Sequence, residues 1–201
     1  MCNKELTEYN VSVFNSLKSK YPLLQLGFFN DQNVLFIGQN PGTPFNQDSA
    51  SMEKAITTPT DFVSYEKVYE RNIKISRIGQ VISKIINNKF EKISFTNIVK
   101  VPTENNKVPA EHLVNEFLPI TYKQVELLKP KLIVCLGRFA GQYFNRQRFY
   151  SISKYSDSVY SMMIPHPSFI LRNGQVDEVT KAVNKIINNF IKQYDNHYKQ
   201  R

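Results

Sequence analysis

The stretch Val34-Leu35-Phe36-Ile37-Gly38-Gln39-Asn40-Pro41-Gly42 constrains this chain most. An apolar run of strand type drops into a polar turn punctuated by Gly and Pro. Far downstream, Ser161-Met162-Met163-Ile164-Pro165-His166-Pro167-Ser168 does the same. In a parallel α/β sheet, strands that end this way bring their polar turns to one edge, where such folds bind ligands. Gly38–Gly42 and His166–Ser168 are therefore expected to face each other across one pocket.

The remaining chain supplies the alternation that such a sheet needs. Lys4 to Lys20 reads as an amphipathic helix through Leu6, Val11, Phe14 and Leu17, stopped by Tyr21-Pro22. Leu23 to Phe29 reads as apolar connection, and Thr43 to Arg71 as a long loop with short helical pieces. Ile75, Ile78, Val81, Ile82, Ile85 and Ile86 recur at helical spacing up to Asn87-Asn88. Ile93 to Val99 is a second strand, followed by a polar turn containing Pro102. Pro109 to Lys129 is a helix with Pro119 predicting a kink or break. Leu132 to Leu136 is a third, fully apolar strand, as buried parallel strands are. A short helix opens at Gly137, Phe149 to Ser158 is loop or edge structure, and Val159 to Ile164 is the fourth strand. Val176 to Tyr194 is a closing helix. With no repeat or linker, residues 1–201 read as one domain. The expected fold is α/β: a three-layer α/β/α sandwich with a four-stranded, mainly parallel central sheet.

Composition narrows the classes. No run of about 18 apolar residues exists, so no membrane span is expected. The first residues lack the pattern of a secretory signal, so an intracellular protein is expected. The net charge of +9 suits a nucleic-acid partner, because bound Lys and Arg displace counterions from phosphates; a merely solubilising surface is the alternative. Only two cysteines, Cys2 and Cys135, are present, which excludes a four-cysteine metal or iron–sulfur site within the chain.

Chemistry-bearing residues gather at three strand ends: Gln39 and Asn40, Thr96 and Asn97, His166 and Ser168. Each has a bland reading as turn geometry or a satisfied imidazole. The first turn is neither a P-loop nor a Rossmann fingerprint, and no Gly-x-Ser-x-Gly elbow or metal-ligand spacing occurs.

Together these residues resemble the uracil-DNA glycosylase superfamily. Gly38-Gln39-Asn40-Pro41-Gly42 is similar to its first motif and His166-Pro167-Ser168 to its second. Phe95-Thr96-Asn97-Ile98-Val99-Lys100, the stretch Leu127 to Ala140, and His166-Pro167-Ser168-Phe169-Ile170-Leu171-Arg172-Asn173 resemble the iron–sulfur-containing microbial class. That class holds its cluster with four cysteines, one of them usually after the lysine; here Val101 stands there. Asn-Pro-Gly in the first motif resembles instead the mismatch-specific and single-strand-selective classes.

The resemblance implies hydrolysis of the N-glycosidic bond of uracil, or of other deaminated bases, in DNA by a monomer; because the cluster cysteines are missing, no cofactor or metal cluster is expected, nor a membrane partner. It implies that His166 stabilises the leaving base, that Asn40 holds the attacking water, and that Asn97 reads the base. It places Gly38, Gln39, Pro41, Gly42 and Ser168 around the substrate, with Phe45 or Phe62 stacking on the base and Tyr65 and Tyr69 as rivals. Phe169, Ile170 and Leu171 would form a wedge loop, or else pack into the core, with Lys100 and Arg172 near phosphates. A non-catalytic DNA-binding relative, or an enzyme of free nucleosides, are the alternatives.

Overall fold

Along the apolar strands, successive side chains enter different cores. Leu35, Ile37, Ile133 and Cys135 join one apolar cluster, whereas Val34, Phe36, Leu132 and Val134 join another. A sheet apolar on both faces must be covered on both, which is the physical reason for three layers. The computed structural model describes residues 3–21, 23–42, 62–104, 107–145 and 148–199, without the side chains of 62–65, 68 and 197–199.

Four strands form the parallel centre: β2 (Val34–Gly38), β3 (Ile93–Asn97), β4 (Leu132–Leu136) and β6 (Tyr160–Ile164). Two short strands, β1 (Phe28–Phe29) and β5 (Ile152–Lys154), add antiparallel edges. The sheet thus has six strands in the order β1-β3-β2-β4-β6-β5, not the four expected. Both additions escape periodicity: β1 is two residues inside an apolar connection, and β5 is three partly exposed residues in the stretch read as loop or edge.

One face is covered by α1 (Lys4–Leu17), α4 (Glu111–Leu128) and α5 (Arg138–Phe144), which supply Phe14, Phe117, Val125 and Phe144. The other carries α2 (Phe62–Ile75), α3 (Arg77–Ile85), α6 (Pro167–Arg172) and α7 (Val176–Lys199), which supply Tyr69, Ile82, Ile170 and Val183. Residues 62–71, expected in a loop with short helical pieces, belong to the continuous helix α2. Pro119 lies inside α4, which runs on through it to Leu128. Among the described residues, no helix is long and apolar enough to cross a membrane.

From β2 the chain moves out to β3 and then returns past β2 to β4. Such a reversal leaves a crevice beyond the carboxyl ends of the strands. There β2 delivers Gln39 and Asn40, and β6 delivers His166.

Candidate active site

A cavity of about 830 Å³ opens at this rim, and Gln39, Asn40, Gly42, His166 and Ser168 line it. The two motif turns therefore share one pocket, as their strand-end positions predict. Arg77, Ile78 and Gln80 from the first turn of α3 complete it, together with Leu171 and Arg172 of α6.

His166 caps α6 and is half-buried. Its Nδ1 accepts from the Ser168 backbone N–H at 3.3 Å and is in hydrogen-bond contact with Ser168 Oγ. An Nδ1 that accepts from a backbone amide carries no proton, so the neutral ring carries its proton on Nε2. Burial, with the charge of Arg172 as a lesser contribution, holds the imidazole below its ordinary pKa. The ring packs against Gly137, where an added Cβ would lie 3.1 Å from His166 Cβ and the backbone φ is +86°. Any side chain there would be strained and would crowd the imidazole.

Asn40 is oriented by groups whose hydrogen-bonding sense is fixed. Its Nδ2 donates to Pro41 O at 2.9 Å and to Thr103 Oγ1 at 3.1 Å. Pro41 O can only accept, and Thr103 Oγ1 gives its own proton to Lys107 O at 2.7 Å. Both amide protons of Asn40 are thus spent. Its Oδ1 accepts from Gln39 Nε2 at 3.0 Å and, among the described residues, from no second donor, which leaves one lone-pair direction open. Thr103 and the Lys107 carbonyl carry no motif signal; their part depends on how the turn after β3 folds back onto Asn40.

Behind the lining, Gly38, Pro41 and Asn97 are buried. Asn97 is 2% exposed, and its Nδ2 donates to Tyr69 Oη at 2.8 Å. Tyr69 is enclosed with Phe28 and Phe95, and burial raises its hydroxyl pKa. It is a core residue that anchors the Asn97 amide, not a stacking platform.

Two expected DNA contacts are corrected. Lys100 is fully buried, and its Nζ donates to Thr96 Oγ1 at 2.6 Å, Asn97 O at 2.6 Å and Gln124 Oε1 at 2.8 Å. Burial pulls its pKa well below the usual lysine value. It cannot reach a phosphate; it ties the end of β3 to α4. Ile170 is 1% exposed and packs beneath the sheet, so it is no wedge. The segment 167–172 is a helix rather than a loop, and it presents Phe169, half exposed, to solvent. Leu171 is half-buried at the pocket wall, and Arg172 is exposed beside it. Phe45 and the side chains of Phe62 and Tyr65 lie outside the described residues.

The four-thiolate cluster of the microbial class does not fit this chain. Val101, at the expected ligand position, is buried in an apolar cluster. Cys135 is enclosed within β4, where burial raises its thiol pKa and disfavours the thiolate that a metal needs. Cys2 lies outside the described residues. Among the described residues, no group of three or more His, Cys, Asp or Glu side chains is placed to hold a metal ion.

The chain is also similar to known proteins. The family model for the uracil DNA glycosylase superfamily matches residues 26–190. A type-4 uracil-DNA glycosylase of Archaeoglobus fulgidus is 30% identical over 101 residues, covering 44% of this chain and 51% of that protein. One from Sulfurisphaera tokodaii is 32% identical over 86 residues, covering 41% of this chain and 39% of its own. One from Thermotoga maritima is 25% identical over 153 residues, covering 71% and 68%. Against the first two, the chain spans about half or less of the relative's length.

Proposed function

We propose a function from one premise: the chain belongs to the uracil-DNA glycosylase superfamily. We infer that it is a monofunctional glycosylase that hydrolyses the N-glycosidic bond of uracil in DNA and leaves an abasic site. The carrying observation is that a neutral His166 and an Asn40 with one open acceptor direction line the same cavity.

Cleavage of this bond builds positive charge on the sugar and negative charge on the departing base. A donor aimed at the developing oxyanion is the strongest single contribution such a site can make. His166 Nε2–H is that donor, directed to uracil O2, and Ser168 holds the tautomer that presents it. Asn40 Oδ1 accepts from the attacking water and orients it. An amide is too weak a base to deprotonate water, but a sugar cation needs little nucleophilic push. Base reading falls to Asn97 by the family resemblance rather than by the cavity, which it does not line; its amide is held by Tyr69, with Oδ1 against Gly38. Phe169 is the wedge at the rim, and Arg172 takes a neighbouring phosphate.

The test is incubation with a single-uracil oligonucleotide, followed by alkali and a denaturing gel. Strand scission at the uracil position is expected, and loss of most of it in His166→Ala. Absence of scission in single- and double-stranded substrates at enzyme excess overturns the reading. Salt-dependent DNA binding without an abasic product would then favour a non-catalytic relative.

A further inference from the structure

A second cavity, of about 710 Å³, opens beside α5 and takes no part in the chemistry above. Its walls carry Arg138, Gln142, Tyr143, Arg148 and Phe149, and Met163 lies in its floor. Among the described residues, no carboxylate lines it. Among the described residues, neither arginine has an ion-pair partner. Two uncompensated cations in a concave site favour an anionic ligand.

The aromatic content makes the ligand more specific. The Arg138 guanidinium lies over the Phe149 ring, 5.7 Å from its centroid, and Phe149 and Tyr143 are both only partly buried. Arginines beside partly open aromatic faces are the combination that holds single-stranded nucleic acid, with cations on phosphates and rings under bases. The wall is also held in shape. Asn145 Nδ2 donates to Ser161 O at 2.7 Å, Tyr150 N donates to Met163 O at 2.8 Å, and Phe149 bridges to Met163. Position completes the case. Arg138 directly follows Gly137, the residue packed against His166, so one end of the cleft starts at the carboxyl rim of the sheet while its apolar wall lies on the opposite sheet face from the catalytic pocket.

We propose that this cleft binds the single DNA strand that flanks the target nucleotide, with Arg138 and Arg148 on its phosphates and Phe149 under one of its bases. The proposal rests on DNA being the substrate, and its test reads binding separately from excision.

Fluorescence anisotropy of the full chain with labelled, uracil-free oligothymidylate of about a dozen nucleotides reads the cleft directly. Arg138→Gln with Arg148→Gln is expected to raise Kd roughly tenfold. It should also lower the slope of log Kd against log salt by about 1.4, the value for two lost single-strand phosphate contacts. Phe149→Ala alone is expected to raise Kd at least about fivefold with the slope unchanged. Unchanged binding in these variants overturns the proposal. So does displacement of the oligonucleotide by polyglutamate at equal charge, which would mark a site for acidic protein instead. In excision assays the double variant should raise KM for a long single strand and leave both kcat and a short substrate unaffected. If the unaltered chain excises nothing, the proposed activity fails while the anisotropy result still decides the fate of this cleft.

Discussion

Gly38 and Asn97 stand opposite each other in the parallel register of β2 and β3, and a Cβ on Gly38 would overlap Asn97 Oδ1. The absence of a side chain at the end of β2 is what lets the amide at the end of β3 lie alongside it. Gly38→Ala must therefore displace either the strand or the amide, and the Tyr69 bond resists movement of the amide. The expected result is a loss of about 1–3 kcal/mol in stability, as for other forced insertions into packed sites. Excision of uracil should fall by at least about tenfold. Denaturant melts and kcat/KM on a uracil oligonucleotide check both.

His166 gives a pH signature. Its folded pKa is depressed, so the folded state binds its proton less readily than the unfolded chain does. Its contribution to stability is therefore complete above the ordinary value of about 6.5 and is lost as pH falls through the folded value. Activity should follow the same direction, because protonation of Nδ1 breaks its acceptance from Ser168 N. The expected profile is flat through neutral pH with a fall on the acidic side below about 6.5. His166→Ala should lower kcat by about 10²–10³-fold and remove that limb.

Asn40 depends on Thr103. Thr103→Val removes the acceptor of one Asn40 amide proton while keeping the shape of the side chain. We expect kcat to fall several-fold, with KM little changed, because a loosened amide orients water less well. Asn40→Ala should cost about 10²-fold, and adding Thr103→Val to it should cost little more. Additive losses across that cycle would show that Thr103 does not act through Asn40.

Lys100→Met fills a similar volume but removes the donor that joins Thr96 Oγ1, Asn97 O and Gln124 Oε1, leaving Asn97 O only its bond from Thr121 Oγ1 and Gln124 Oε1 only its bond from Thr96 Oγ1. The expected loss of stability is about 1–3 kcal/mol, the scale for losing a buried hydrogen-bond donor whose partners stay buried. The salt dependence of DNA binding should not change, since the amine never meets solvent. A shallower salt slope in a folded variant would restore Lys100 as a phosphate contact.

Glu66 on α2 accepts from the backbone N–H of Phe29 in the edge strand β1, at 3.0 Å. Burial raises its pKa to about 7, with a smaller push from Glu70 and a counteracting pull from the Phe29 bond. A raised carboxyl pKa contributes stability that is complete below the unfolded value and is lost as pH rises through about 7. Glu66→Gln keeps an acceptor for Phe29 and removes the ionisation. It should stabilise the fold above neutral pH, by at most about 3 kcal/mol, and flatten the stability profile between about 4.5 and 7. Thermal melts across that range are the measurement.

Local patterns were enough for much of this protein. The apolar runs 34–37, 93–99, 132–136 and 159–164 announce four parallel strands, because a strand buried on both faces has no polar side to hide. Their polar ends announce Gln39, Asn40, His166 and Ser168 as one pocket, because parallel strands finish on one rim. Other features required the tertiary structure. Lys100 follows the Asn97 motif and reads as a surface cation, yet α4 brings Gln124 over it and shuts out water. Ile170 and Phe169 are adjacent apolar residues, and only the helical turn of α6 sends the first into the core and the second to solvent. Arg77 reaches the pocket from α3, and Thr103 reaches Asn40 from the turn after β3, both distant from either motif. Sequence periodicity determines which side of an element is apolar. What stands opposite a polar atom, and so whether it is open to a substrate or already bonded, is decided by the packing of elements far apart in the chain.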